Sequence, residues 1–392
     1  MARIFFHMST SVYRRRENSL VMLDDVFPNL LSGFRVAEFN CYLREFPGSK
    51  AVSSRQFFPT ASGQIGYEFS HAEYATHYPD LAGRVHLLEQ TTVDADLAYL
   101  VFLNNGAKFL PLLTQTNTPF LITIYPGGGL QLNDPASDQK LAQVLGSPLC
   151  RGVITTQRAT RDYLLAKQFI GAEKITHVFG LVTPEISTEK VERLHFGRDK
   201  QTLDIVFAAH RYTMHGIDKG YDLFIEAARQ VVAKTEHVRF HVVGPWHSDG
   251  YPTDGIPTDR LTFYPVLGPG DLQTVFRYCD MIVSPNRPGK LAAGAFDGFP
   301  LGSCVDAGLQ GAAVLASNEM HEDAFTDGKE LIVVQPDADD VAQKILALAD
   351  DPEGIARLGT NAMQAFRETY SFDSQLGPRL ALIRKHLSTV AG

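Results

Sequence analysis

Short runs rich in β-branched and aromatic residues alternate with longer stretches of helical period, and the alternation runs along the chain twice. That order is the signature of βαβ units and parallel sheets. In the first half, strands are expected at residues 2–7, 50–54, 97–103, 120–125 and 152–155. Helices are expected at 33–45, where Phe34, Ala37, Phe39 and Tyr42 are apolar, and at 159–167. From residue 199 the pattern restarts with a strand at 204–208, a helix at 221–234 and a strand at 238–243. A polar Gly/Pro-rich stretch fills 244–257, and a strand at 261–264 follows. Further expected elements are helix 271–278, strand 281–284, helix 301–309, strands 313–317 and 330–334, and helix 338–349. Two α/β domains of similar size result, with the seam in the Thr/Glu/Lys-rich segment near 187–202.

The chain has 392 residues, roughly two to three domains' worth, and 44% of them are apolar, so a sizeable core can form. With 44 acidic against 36 basic side chains the formal charge is -8, which argues against an electrostatic grip on nucleic acid. The four cysteines, Cys41, Cys150, Cys279 and Cys304, lie far apart with no zinc-site spacing, which fits a reducing, cytoplasmic setting. The N-terminal MARIFFHMSTSVYRRREN has apolar residues before its positive charges and no small-residue cleavage site, so it reads as a first strand and not an export signal. No run of 18 apolar residues occurs, so any membrane contact is expected to be peripheral. Arg14, Arg15 and Arg16 could serve such a contact or simply be a solvated loop.

In open parallel sheets ligands sit outside the carboxyl ends of strands, so the loops there carry the candidates. After the strand 204–208 the loop holds Arg211, with Lys219-Gly220 just before a helix: two cations that can seat a phosphate, or two surface bases. Farther on, Gly298 and Gly302 allow close backbone approach, and the helix start near Gly302 and Ser303 offers N–H groups to an anion. Asp297 precedes that turn and Asp306 lies about one helical turn inside, where a carboxylate can accept two sugar hydroxyls. In the first half, Tyr125 and the triple glycine Gly127, Gly128 and Gly129 follow a strand, either opening the backbone to a sugar or forming a flexible turn. Ser32-Gly33 opens a helix in the same way. His210 and His215 flank Arg211 and read as surface histidines; Trp246 either flanks a bound base or covers the core.

The ordered set Arg211, Lys219-Gly220, VVGP (242–245), SPNR (284–287), DGFPLGSCVDAGLQG (297–311) and FTDGKELIVVQPDADDVAQKI (325–345) resembles the family 4 retaining glycosyltransferases of the GT-B fold, the glycosyl transferases of group 1. The resemblance covers about residues 204–387 well and the first half more loosely, through LLSGFRVAEFNCYL (30–43) and the segment 154–184. Both motif carboxylates are Asp where the family has Glu, and the Asp297–Asp306 spacing is one residue longer. About two extra residues separate Arg211 from Lys219, and YPGGG (125–129) stands where many members carry a His.

The resemblance implies two Rossmann-like domains facing across a cleft: an acceptor-binding domain at 1–198, a nucleotide-sugar-binding domain at 199–372, and a helix at 373–392 crossing back to the first domain. It implies transfer of a hexose-type sugar, with retention, from a nucleotide-diphosphate donor to a saccharide, lipid-linked or protein acceptor. Arg211 and Lys219 would neutralise the departing diphosphate, Asp306 would bind the ribose, and backbone at Val266 and Leu267 would meet the base. Asp297, Gly298 and Phe299 would lie at the donor sugar, Ser32 and Gly33 near the diphosphate. No cofactor is expected, the nucleotide-sugar being a substrate. No metal is expected either: the triplets Asp94-Ala95-Asp96 and Asp337-Ala338-Asp339 read as turn and cap residues. Two rivals share the fold: a nucleotide-sugar 2-epimerase, and a non-catalytic sugar-nucleotide-binding partner of another transferase.

Overall fold

Strands such as LVMLD, LAYLV and FLITI are buried at every position, the pattern of parallel strands covered on both faces. The computed structural model describes residues 19–54, 57–60, 63–184, 192–247 and 251–388. Its first half runs β1 (Leu20–Asp24), α1 (Gly33–Glu45), β2 (Lys50–Ser53), the antiparallel pair β3 (Phe57–Thr60) and β4 (Gly63–Gly66), α2 (Tyr67–His77), α3 (Pro79–Ala82) and β5 (Val85–Leu87). It continues with β6 (Leu97–Val101), α4 (Leu103–Thr116), β7 (Phe120–Ile124), α5 (Pro135–Leu145), β8 (Cys150–Thr155), α6 (Arg158–Ala166) and β9 (Ile175–His177). The second half comprises β10 (Leu203–Ala208), α7 (Tyr221–Val232), β11 (Val238–Val243), β12 (Leu261–Tyr264), α8 (Pro269–Tyr278), β13 (Met281–Ser284) and α9 (Gly302–Leu309). Then follow β14 (Ala313–Ser317), β15 (Ile332–Val334), α10 (Ala338–Ala349), α11 (Pro352–Thr369) and α12 (Phe372–Ser388).

One parallel sheet has the order β5-β2-β1-β6-β7-β8-β9, the other β12-β11-β10-β13-β14-β15. Each winds outward in both directions from its first strand, so each has a switch point: β1 beside β6, with Met22 opposite Tyr99, and β10 beside β13, with Ile205 opposite Met281. The expected two-domain α/β architecture is therefore present. The strand expected at 2–7 lies outside the described residues. β1 was not anticipated, because a short Leu/Met-rich apolar run reads equally as buried strand or buried helix. Part of the expected seam, 187–191, also lies outside them; Arg193, farther along the seam, donates to the carbonyls of Gln310 and Cys279.

Helix α12 returns to the first sheet, burying Leu376, Leu380, Ile383 and Leu387 against β1 and α1 side chains. Its Arg379 is wholly buried, with Nε 3.4 Å from Glu38 of α1, itself fully buried. Tyr42 donates to the same carboxylate at 2.9 Å, Tyr99 more closely, and Tyr125 at 3.2 Å. Under the second sheet, Asp204 accepts from Lys200 at 2.7 Å and lies 2.8 Å from His241, and Lys200 also pairs with Asp280. The four cysteines are all free and buried. Among the described residues no helix is long and apolar enough to cross a membrane.

Two stability outcomes follow. Arg379→Met strands the Glu38 carboxylate without its cation and should cost about 3–5 kcal/mol in urea unfolding, against little for Arg384→Met on the exposed face of the same helix. Burial opposes ionisation of Asp204, but His241 and Lys200 outweigh it and hold its carboxyl below the usual range. A depressed folded value stabilises above the unfolded one and is lost as pH falls toward the folded one. Asp204→Asn should therefore be less stable at neutral pH and lose less stability than the parent on acidification below about pH 4.

Candidate active site

The carboxyl ends of β10 and β13 deliver two loops to one edge of the second sheet. Gly220 joins them: it has φ 72°, and a side chain there would stand 2.0 Å from the Pro285 carbonyl oxygen, so only glycine lets the start of α7 rest on the loop after β13. Arg287 braces the same junction, donating to both carboxylate oxygens of Asp222 at 2.5 Å and to the Ile217 carbonyl at 2.8 Å. The result places Lys219 Nζ 2.6 Å from Asp297 Oδ2, with the ring of Tyr212 5.2 Å away. Lys219 is almost wholly buried and Asp297 about one-third exposed. A buried cation beside a single part-exposed carboxylate is poised to exchange that partner for another anion.

A cavity of about 420 Å³ opens beside this pair, between the two sheet edges. Of the residues singled out from sequence, Gly33, Tyr125, Val266, Leu267, Asp297, Gly298, Gly302, Ser303 and Asp306 line it. Helix α9 begins there with no side chain capping its first turn, so the amides of Gly302 and Ser303 and the positive end of the helix dipole face the space. Asp306 lies one turn farther along the same helix, and Val266 and Leu267 close the end near α8. The longer Asp297–Asp306 spacing is absorbed in the loop before α9, and both carboxylates reach the same wall. From the first sheet come Gly33 at the head of α1, Phe34, Phe102 and Tyr125.

Other sequence candidates sit elsewhere. Arg211 is half-buried and, like Lys219, is not itself among the residues of the wall; unlike Lys219 it makes no ion pair there among the described residues. Ser32 precedes α1 and accepts a hydrogen bond from Arg35 at 3.1 Å. The Phe299 ring packs in the core of the second sheet and its N–H donates to Gln157 of the first at 3.0 Å, so neither is left for a ligand. Gly127, Gly128 and Gly129 all have positive φ and lie off the wall, where a side chain on Gly128 would strike Phe102 and one on Gly129 would strike Asn104. The turn itself requires the glycines, and Tyr125 alone of that group reaches the cavity. Trp246 is core: it stacks on Tyr221 at 4.3 Å and donates to the Ala209 carbonyl. Asp337 caps α10 as expected, whereas Asp96 accepts from Ser19, a long-range tie between the segments that lead into β1 and β6 and not a turn.

Among the polar wall residues, Tyr212 and Gln157 went unread in the sequence, and His210, expected as a surface histidine, lines the cavity. Tyr212 and His210 come from the loop after β10, where burial and the nearby Lys219 charge push the His210 imidazole below its usual value and so toward the neutral form. Gln157 comes from the start of α6. Nothing in local sequence marks a lone Gln or Tyr as a cleft residue.

Residues 204–351 match the family model Glycosyl transferases group 1. No curated protein sequence matches the chain. Among solved structures, TarM of S. aureus, in complex with UDP and α-GlcNAc-glycerol, superposes with TM-score 0.54 at 19% identity, over 73% of this chain and 55% of that one. The chain thus spans little more than half the length of that relative. Sucrose-phosphate synthase from Thermosynechococcus elongatus gives 0.62 at 15% identity over 95% and 100% of the two chains. Anabaena HepE, in complex with UDP and glucose, gives 0.64 at 14% over 95% and 99%. The motif-bearing second half thus matches the model of the group 1 glycosyl transferases, and the chain as a whole has the GT-B fold of these structures.

Proposed function

We propose that this chain is a retaining transferase of the family 4 type, moving a hexose-type sugar from a nucleoside-diphosphate donor to a carbohydrate-containing acceptor, free, lipid-linked or protein-borne. The observation that supports it best is the convergence on one cavity wall of Asp297, paired with Lys219, the open first turn of α9, and Asp306. In this reading the base lies against Val266 and Leu267, the ribose hydroxyls bind Asp306, and the diphosphate takes the Gly302 and Ser303 amides and Lys219. The sugar then points toward Asp297, Gly298 and Tyr125.

The bond between the anomeric carbon and the diphosphate oxygen breaks while an acceptor hydroxyl attacks the same carbon. Negative charge collects on the departing phosphate, which takes up the acceptor proton. Fixed donors aimed at that oxygen lower the barrier. Lys219 and the α9 amides supply them, so no metal ion is assigned. Arg211, which makes no ion pair to the described wall residues, is given a secondary part. Neighbours in complex with UDP and UDP-glucose favour a uridine donor, without excluding guanosine from the test. Free thiols throughout suit a cytoplasmic setting.

One neighbour, assigned as a UDP-N-acetylglucosamine 2-epimerase from Listeria monocytogenes, superposes with TM-score 0.60 at 12% identity over 96% and 98% of the chains. Incubating donor without acceptor separates the readings: an epimerase alters the sugar, a transferase leaves it attached or slowly hydrolyses it. The non-catalytic rival would bind donor and never turn it over.

A panel of nucleotide-sugars should contain one that, at about 100 times its dissociation constant, adds roughly 2.7 kcal/mol to the folded state and raises Tm. If none does, the reading fails. With that donor, Lys219→Ala should lower kcat by about 10²-fold or more. Asp306→Ala should weaken nucleoside-diphosphate affinity by about 10- to 100-fold, the worth of hydrogen bonds to a charged group. Arg211→Ala should cost less than about tenfold, since Lys219 and not Arg211 pairs with a carboxylate of the wall.

A further inference from the structure

We infer that Phe296 is a positioning residue: by seating its ring in the core of the first domain, it presents Asp297, a residue of the second domain, to Lys219. The inference rests on the cavity being the donor site, and it adds a residue that neither the motifs nor the cavity wall contains. Asp297 belongs to the loop between β13 and α9, yet the chain on either side of it is fastened to the opposite domain. On one side, the Leu132 N–H donates to the Gly294 carbonyl at 2.8 Å. Gly294 has φ 73°, and a side chain there would stand 2.0 Å from the Leu132 carbonyl oxygen, so the two strands of chain touch along their backbones. Next, Phe296 is 5% exposed within a cluster whose other buried members all come from residues 21–170, among them Ile124, Leu130 and Leu141. On the other side, the Phe299 N–H donates to Gln157 Oε1 at 3.0 Å, and Gln157 is itself buried at the head of α6.

Between the Phe296 ring and the Phe299 N–H, both fastened to the first domain, the Asp297 side chain turns back to its own domain to meet Lys219 at 2.6 Å, as the Phe299 ring turns back into the core of the second sheet. Its carboxylate is thereby held between two bodies: the first domain sets where its backbone lies, the second supplies its partner. Any separation of the domains at this edge must draw Asp297 off Lys219, or draw the Phe296 ring out of its core. A fully buried aromatic side chain resists the second course, since leaving the core exposes its whole apolar surface. Closure of the cleft and the pairing of the phosphate-binding lysine are therefore one event. The same fastening explains how a loop one residue longer than the family pattern still brings both carboxylates to one wall: its length is taken up by attachment across the cleft.

The test reads Lys219 directly and needs no substrate. An amine in a close ion pair is protonated and shielded, so acylation by an N-hydroxysuccinimide acetate, followed by mass spectrometry, should label Lys219 poorly in the parent protein relative to the exposed Lys108. Asp297→Asn should raise the Lys219-to-Lys108 labelling ratio about tenfold, and Phe296→Ala should raise it by a comparable factor with Asp297 intact, as expected of residues acting through one contact. Phe296→Leu, keeping most of the apolar plug, should restore the parent ratio. Should Phe296→Ala fail to fold, Gln157→Ala, which loosens the other fastening without opening the core, carries the same expectation. Labelling that rises in Asp297→Asn but stays at the parent level in the folded Phe296→Ala protein, or in Gln157→Ala where the former does not fold, overturns the inference. With a donor in hand, Phe296→Ala should raise its KM about tenfold while affinity for UDP or GDP alone changes less than about twofold. A merely weakened fold would instead lower the active fraction and leave KM unchanged. If no nucleotide-sugar is bound or turned over by the parent protein, the proposed function falls, and the labelling ratio still decides the role of Phe296.

Discussion

The placement of the last helix depends on one buried ion pair, Glu38 with Arg379. Two charges withdrawn from water are favourable only when nearly every lone pair and proton finds a partner. Here Tyr42, Tyr99 and Tyr125 donate to the carboxylate, and Arg379 donates to the Gln375 carbonyl at 2.5 Å and to the Tyr125 hydroxyl at 3.3 Å. Burial pushes the three phenols above their usual range, so they remain hydrogen-bond donors at any working pH. The cluster commits the end of the chain to the domain that began it. Because Gln375 also holds the Phe179 and Thr369 carbonyls, it fixes the crossing segments that border the cleft. Tyr125 carries the constraint onward, since the same side chain that completes the cluster also forms part of the cavity wall.

The cleft is held together at more than that point. Beyond the Phe296 strap, Glu322 of the second domain is buried against the first, accepting the Ala159 N–H at the start of α6 at 3.1 Å, and Arg158 reaches Asp323 and the His321 carbonyl. Burial raises the Glu322 carboxyl above its ordinary value. The contacts gather around α6 and the loops after β13 and β14, so any relative motion of the two domains must hinge or slide around them.

Much of this was legible in the order of residues because parallel sheets write themselves plainly. β11, β12 and β13 are short runs rich in β-branched, aromatic or other apolar residues, each followed at once by Gly or Pro, and their bounds and those of β14 match expectation. Lys219, Gly302 and Asp306 stood out in the sequence because each lies close to the start of a helix that follows a strand, and Asp297 because it opens the motif that resembles the family's; the fold brings all four to one edge of the second sheet. Arg211 stood out too, from the loop just after β10, yet it is not among the residues lining the cavity. Gln157 and Phe296 could not be found, because what matters about each is a partner more than 100 residues away. Glu38 and Arg379 were hidden for the same reason, and because an ionisable residue on an otherwise apolar helix face gives no sign of being buried.

The burial of every cysteine has a practical side. Desolvation lifts the Cys41 and Cys150 thiols to about 11 and the Cys304 thiol to about 12, with Cys279 raised further, so almost no thiolate is present near neutrality. Maleimide dyes should pass the native protein by. A pair of cysteines engineered onto exposed sites of the two lobes would then accept fluorophores without background, and single-molecule energy transfer could follow the hinge in the unaltered framework.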